Sequence, residues 1–183
     1  MSIYNFKNPF VKFITSSVFF ILFWQLIYFF YLEPNGFIDN QITIDLIALT
    51  NKILQAIGYV VLPVQDADTE IKIAGIDGTT GVWVGDPCNG LILFVLFLTF
   101  IIFYPYGFKH KFWFIPLGLI SIHFINAARV ASLAIILKYK PQWLDFNHNY
   151  TFTILVYSYV FLLWLAWIKY FGKPSISPKI SGE

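Results

Sequence analysis

Charge is scarce in this chain. Asp, Glu, Lys and Arg make up 12% of its 183 residues, about half the roughly 25% of an ordinary soluble domain. Too little polar material is left to coat a water-soluble body of this size. The same scarcity excludes an intrinsically disordered chain and a nucleic-acid binder with a basic face. Cysteine is nearly absent: with one in the chain, no intrachain disulfide can form, and a disulfide scaffold is excluded. What the chain has in abundance is apolar surface. Apolar residues reach 58% and aromatic residues 21%, and the mean hydropathy is +0.69. The net charge of +2 says little until the charges are placed.

A spanning helix needs about 20 mostly apolar residues, because the hydrocarbon core is about 30 Å thick and the rise is about 1.5 Å per residue. Four stretches meet this condition: 13–32, 88–107, 112–138 and 151–171. The first has too long an apolar run, and no small-x-small site after it, for a cleaved signal peptide. Lys7 and Lys12 precede the first stretch, Lys109 and Lys111 separate the second and third, and Lys169, Lys173 and Lys179 close the chain. The connection 33–87 holds only Lys52 and Lys72, against Glu33, Asp39, Asp45, Asp66, Asp68, Glu70, Asp77 and Asp86. This bias places both termini in the cytoplasm and 33–87 outside; Lys138 and Lys140 run against it. The expected fold is an all-α integral membrane protein, a single domain over 1–183. It has about four transmembrane helices, an external amphipathic helix, a small β-hairpin and a mobile tail at 173–183. It is multi-pass, in a cell (inner) membrane.

Within the external segment, residues 42–62 carry Leu46, Leu49, Ile53, Ile57 and Val60 at helical spacing, with Thr50, Asn51, Lys52 and Gln55 largely on the other side. This predicts an amphipathic helix ended by Pro63, lying on the outer interface or over the bundle. Residues 69–76 alternate, with Ile71 and Ile73 on one side and Glu70 and Lys72 on the other. Asp77-Gly78 then supplies a turn, and 82–84 a second short run, which together predict the hairpin.

The hairpin runs into GDPCNGLILF. Asp86 is a good N-cap and Pro87 a good first helical residue, which puts Cys88 in the first turn of the second span. There the thiol sits at the external boundary, at the positive end of a helix dipole, which favours a thiolate. A lone cysteine in a membrane helix is ordinarily a small packing residue; a helix start beside an acidic aqueous loop is not where packing needs one. Arg129 lies inside the third span, where a charge costs at least about 2.5–3.5 kcal/mol. Counted from Phe112 it is about 25 Å across, near the external boundary. Ala127, Ala128, Ala131 and Ser132 around it let another helix approach closely; the bland alternative is an arginine snorkelling to lipid phosphate. His148 precedes the fourth span on the external side. His123 is expected to hydrogen-bond a neighbouring helix, and His110, beside two lysines, to be solvated. Cys88, Arg129 and His148 thus gather from three spans at one depth. A thiol nucleophile, an acid/base and a fixed cation form a workable acyl-transfer set, with Asn89 and Asn126 as supporting residues. No metal-ligand spacing or glycine-rich phosphate loop stands out, so neither metal nor cofactor is expected.

The segments PCNGL around Cys88, NAARVASL around Arg129 and FNHN around His148, in that order, resemble the exosortase/archaeosortase family of membrane-embedded cysteine transpeptidases. The resemblance covers residues 86–157. It implies a multi-pass helical protein with an extracytoplasmic active site, in which Cys88 is the nucleophile and Arg129 and His148 complete the catalytic set. The implied partner is a secreted protein ending in a short motif, a transmembrane helix and a basic tail; it is cleaved at the motif and transferred to an anchor. With about four spans rather than eight or so, the chain looks like a short variant. The rival expectation is a non-enzymatic membrane assembly or docking subunit, for which Cys88 would be dispensable. A small transporter gated by Arg129 fits least, since the second and fourth spans have little interior polarity. Besides its substrate, the expected partner is the lipid bilayer, with no nucleic acid.

Overall fold

The structure, a computed structural model, describes residues 8–63, 72–85 and 88–172. Helix α1 runs from Pro9 to Asn35. Pro9 suits a helix start, and the Asn8 side chain accepts the Phe10 N–H at 3.0 Å, satisfying a donor the helix cannot pair itself. A π-helical turn at Tyr28–Leu32 interrupts it, and Gly36, at φ +58°, ends it. The remaining helices are α2 (Phe37–Ala56), α3 (Leu91–Phe103), α4 (Phe108–Tyr139) and α5 (Pro141–Phe171). Strands β1 (Ile73–Ala74) and β2 (Val82–Trp83) pair antiparallel, Ile73 opposite Trp83 and Ala74 opposite Val82.

Among the described residues three helices, α1, α4 and α5, are long and apolar enough to cross a membrane, which marks the chain as a helical, membrane-embedded protein. Along Pro9–Ile27 no residue of α1 is buried. A helix apolar on every side and covered by so little protein needs a lipid environment. The helix in the second apolar stretch is shorter than 88–107. It has 13 residues and spans about 20 Å, because both ends are set by glycines and turns rather than by the apolar run. It starts only after Gly90, at φ +92°, and is followed by Tyr104 in an extended conformation before Gly107, at φ +80°, opens α4.

One core lies among α3, α4 and α5: Leu93, Phe97 and Ile101 meet Phe114, Ile122, Val156, Val160 and Trp167. Phe97 sits against Gly118, where a Cβ would lie 2.1 Å from the ring; only glycine lets α3 approach α4 this closely. The Lys111 ammonium donates to the carbonyls of Ile102 and Tyr104 at 2.7 and 2.8 Å, closing the end of α3 as a basic C-cap. A second core joins α2 and the hairpin to the far half of α4 through Leu46, Ile47, Leu54, Ala74, Ile76, Ala127, Val130, Ala131 and Ala134. The expected close approach at Ala127 and Ala131 is therefore made by α2.

Several expectations are corrected here. Helix α2 begins five residues before Ile42 and ends at Ala56 rather than near Pro63, because Gly58, at φ +91°, turns the chain first. Thr50 and Asn51, expected on the polar side, are buried, while Ile57 and Val60 are exposed. The buried stripe of α2 is Asp39, Thr43, Leu46, Ile47, Thr50, Asn51 and Leu54, a helical period that hydrophobicity alone does not mark. On the first strand it is Lys72 and Ala74 that are buried, with Ile73 half-buried. His110 is exposed, as expected, and stacks on Phe171 at 4.6 Å. His123 lies against the Phe94 ring at 6.1 Å, and among the described residues it makes no hydrogen bond to a neighbouring helix. Lys138 is accommodated at its end of the bundle by the Tyr59 ring, 5.3 Å from its ammonium. The Asp86–Pro87 cap, the outer part of the first hairpin run and the 173–183 tail lie outside the described residues.

Candidate functional site

Cys88 does not lie in the first turn of the helix. It occupies a turn just before it, its N–H donating to the Gly85 carbonyl at 2.8 Å. The reason lies in the two residues that follow. The Asn89 side chain accepts the Leu91 N–H at 2.9 Å, a local bond that competes with helix and favours a cap. Gly90 then takes the left-handed backbone that lets the chain enter α3. A Cβ at Gly90 would lie 2.9 Å from Asn126 Nδ2, so this position is required to be small as well as flexible. Gly90→Ala should cost about 1–2 kcal/mol from the left-handed backbone alone. A lowered melting temperature in detergent, together with slowed alkylation of Cys88, is the expected result.

Two helices converge on the half-buried Cys88. Its Sγ lies 3.3 Å from His148 Nε2 on α5. Its carbonyl accepts from Asn126 Nδ2 on α4 at 3.0 Å. One turn further along α4, Arg129 donates from Nη1 to Asn126 Oδ1 at 3.4 Å. The guanidinium thus reaches the cysteine backbone through a single amide. Arg129 is buried, its Nε has no partner, and among the described residues no carboxylate pairs with it. Such a charge is retained at a cost.

His148 does not precede the helix of the fourth span. It sits instead inside α5, which starts ten residues earlier than 151, in the π-helical turn Asn147–Thr151. Asn147 and Asn149 are poor helix formers, but side chains satisfy the widened turn. Asn147 Nδ2 donates to the Trp143 carbonyl at 2.8 Å and the Thr153 hydroxyl to the His148 carbonyl at 3.0 Å. Turns of this kind inside α-helices frequently occur at functional sites. His148 Nδ1 lies 3.3 Å from Asn149 Oδ1. With the proton on Nδ1 and donated there, Nε2 presents its lone pair to the thiol.

Cys88, Arg129, His148, Asn89 and Asn126 are therefore brought together at one end of the bundle. One residue of this cluster is not evident from the sequence: Asp39, on the first turn of α2, whose Oδ1 accepts from Asn89 Nδ2 at 2.7 Å. The available signal is its place in the Asp39, Thr43, Leu46, Ile47 period. Nearby, the Thr50 hydroxyl donates to the Ala127 carbonyl at 3.4 Å, tying α2 to α4 two residues before Arg129. Among the described residues no three His, Cys, Asp or Glu side chains form a metal-binding group. Chemically, the arrangement offers a thiol in contact with an imidazole and a nearby fixed cation. Comparisons with family models, curated proteins and solved structures gave no match to this chain.

Proposed function

We propose that the protein is a membrane-embedded cysteine transpeptidase or protease of the exosortase/archaeosortase type, acting on C-terminal sorting signals of secreted proteins. The observation that carries this reading is the 3.3 Å contact between Cys88 Sγ and His148 Nε2, made by residues 60 positions apart and flanked by a buried arginine. In the proposed reaction Nε2 takes the thiol proton as the sulfur attacks the scissile carbonyl. Arg129, alone or through Asn126, stabilises the negative charge that develops on the carbonyl oxygen. The C–N bond then breaks, the leaving amine takes the proton from His148, and the substrate's N-terminal part is held on Cys88 as a thioester. An anchor amine or water, deprotonated by His148, attacks the thioester and releases the thiol.

In this proposal α3 serves as a fourth, short membrane element beside α1, α4 and α5. Both termini face the cytoplasm, and the end bearing Cys88 faces outward, with α2 and the hairpin roofing it. The substrate's own helix would dock against the lipid-facing bundle. The test is chemical trapping: the chain co-expressed with a secreted protein ending in motif, apolar helix and basic tail should yield a covalent adduct released by hydroxylamine. If substrate is processed but neither an adduct nor dependence on Cys88 is found, the covalent mechanism is wrong.

A further inference from the structure

We infer that Asp39 is a positioning residue of the thiol site, holding Asn89 and, through it, the turn that presents Cys88 to His148. The inference deepens the transpeptidase proposal, and only its turnover measurement rests on that proposal. Among the described residues Asp39 is the one buried carboxylate, 2% exposed, and its Oδ2 has no partner. Its bond to Asn89 is 2.7 Å, the short length of a charge-assisted contact. Asn89 is itself fully buried. Its amide orientation is fixed from both sides, with Nδ2 given to Asp39 and Oδ1 taken by the Leu91 N–H. Residue 89 cannot rotate without breaking both bonds, and Cys88 is the residue attached to it.

The electrostatic setting points the same way. Asp39 lies in the first turn of α2, and Asn89 lies immediately before α3. One carboxylate therefore faces the positive ends of two helices, which favours its negative charge. An acid kept for packing alone would be replaceable by an apolar side chain of similar volume. An acid that aims a second side chain would not.

The experiment uses the full chain in membranes and follows N-ethylmaleimide alkylation of Cys88 alongside substrate turnover. Simple loosening would expose the half-buried thiol and speed its alkylation. Loss of positioning separates it from His148 and slows it. Asp39→Ala should slow alkylation roughly tenfold and lower kcat with KM unchanged. His148→Ala should slow alkylation in the parent chain yet add little in the Asp39→Ala background, since Asp39 acts through the Cys88–His148 contact. Asp39→Asn, which keeps an acceptor for Asn89, should recover part of the rate. Asp45→Asn, on the exposed side of the same helix, should behave as the parent chain. Parent-like alkylation in Asp39→Ala, or fully additive effects with His148→Ala, overturns the inference. If Asp39→Ala does not accumulate, Asp39→Asn and Asn89→Ala decide, and parent-like alkylation in both overturns it. A chain that processes no substrate but shows the coupled alkylation pattern supports the positioning role and removes the transpeptidase proposal.

Discussion

Cys88→Ala is expected to reduce processing of a co-expressed substrate by a factor on the order of ten thousand or more, the scale on which removing a covalent nucleophile acts. The thiol is half-buried and its removal leaves the Gly85 and Asn126 hydrogen bonds, both made by the Cys88 backbone, in place. Melting temperature in detergent should therefore change little. Cys88→Ser keeps that backbone and the approximate volume, but places a far less acidic hydroxyl opposite His148, so most of the activity should still be lost. The measurement is the rate of substrate cleavage at matched protein level. Processing by Cys88→Ala at the parent rate would leave the assembly-subunit alternative as the better account.

Arg129 should give the second largest effect, and in a form that separates function from folding. Its guanidinium is buried with a long hydrogen bond to Asn126, an unpartnered Nε and, among the described residues, no carboxylate opposite. Replacing such a charge by an apolar side chain of similar length is often neutral or stabilising. Arg129→Met is thus expected to melt at or above the parent temperature while losing activity by roughly a hundredfold to a thousandfold, the range seen when an oxyanion-stabilising donor is removed. Arg129→Lys keeps the charge but not the planar fork, and should recover only part of the rate. A variant that loses activity and stability together would reassign Arg129 to holding the bundle.

Cys88, Arg129 and His148 were legible in the sequence because each breaks a local rule. A charge inside an apolar run, a thiol beside turn residues and a histidine at the edge of a span need no partner to be noticed. Their common depth followed from lysine placement alone. What was not legible depends on partners distant in sequence. Asp39 reads as one of many acids in the external segment until Asn89 is placed against it. Thr50 and Asn51 read as a solvent face, because nothing local says that they will be buried and that Ala127 will receive the Thr50 hydroxyl. The start of α3 was read too early because Pro87 is a persuasive helix opener, whereas Asn89 and Gly90 form the turn after it. The hairpin was legible in kind but not in facing, since the weak alternation was opposed by the burial of Lys72.

The brevity of α3 bears on how the lipid must behave around the site. A helix of 13 residues covers about 20 Å, and a bilayer's hydrocarbon layer is about 30 Å thick. In the proposed orientation Cys88 lies at the outer end of α3, and a shortfall at that end must be made up by α2 and the hairpin or by local thinning of the leaflet. Either way Cys88, the proposed nucleophile, then sits at the floor of a recess rather than at the surface. Bilayer thickness then becomes a variable of the reaction, one that sets how far a substrate's scissile bond must descend to meet the thiol.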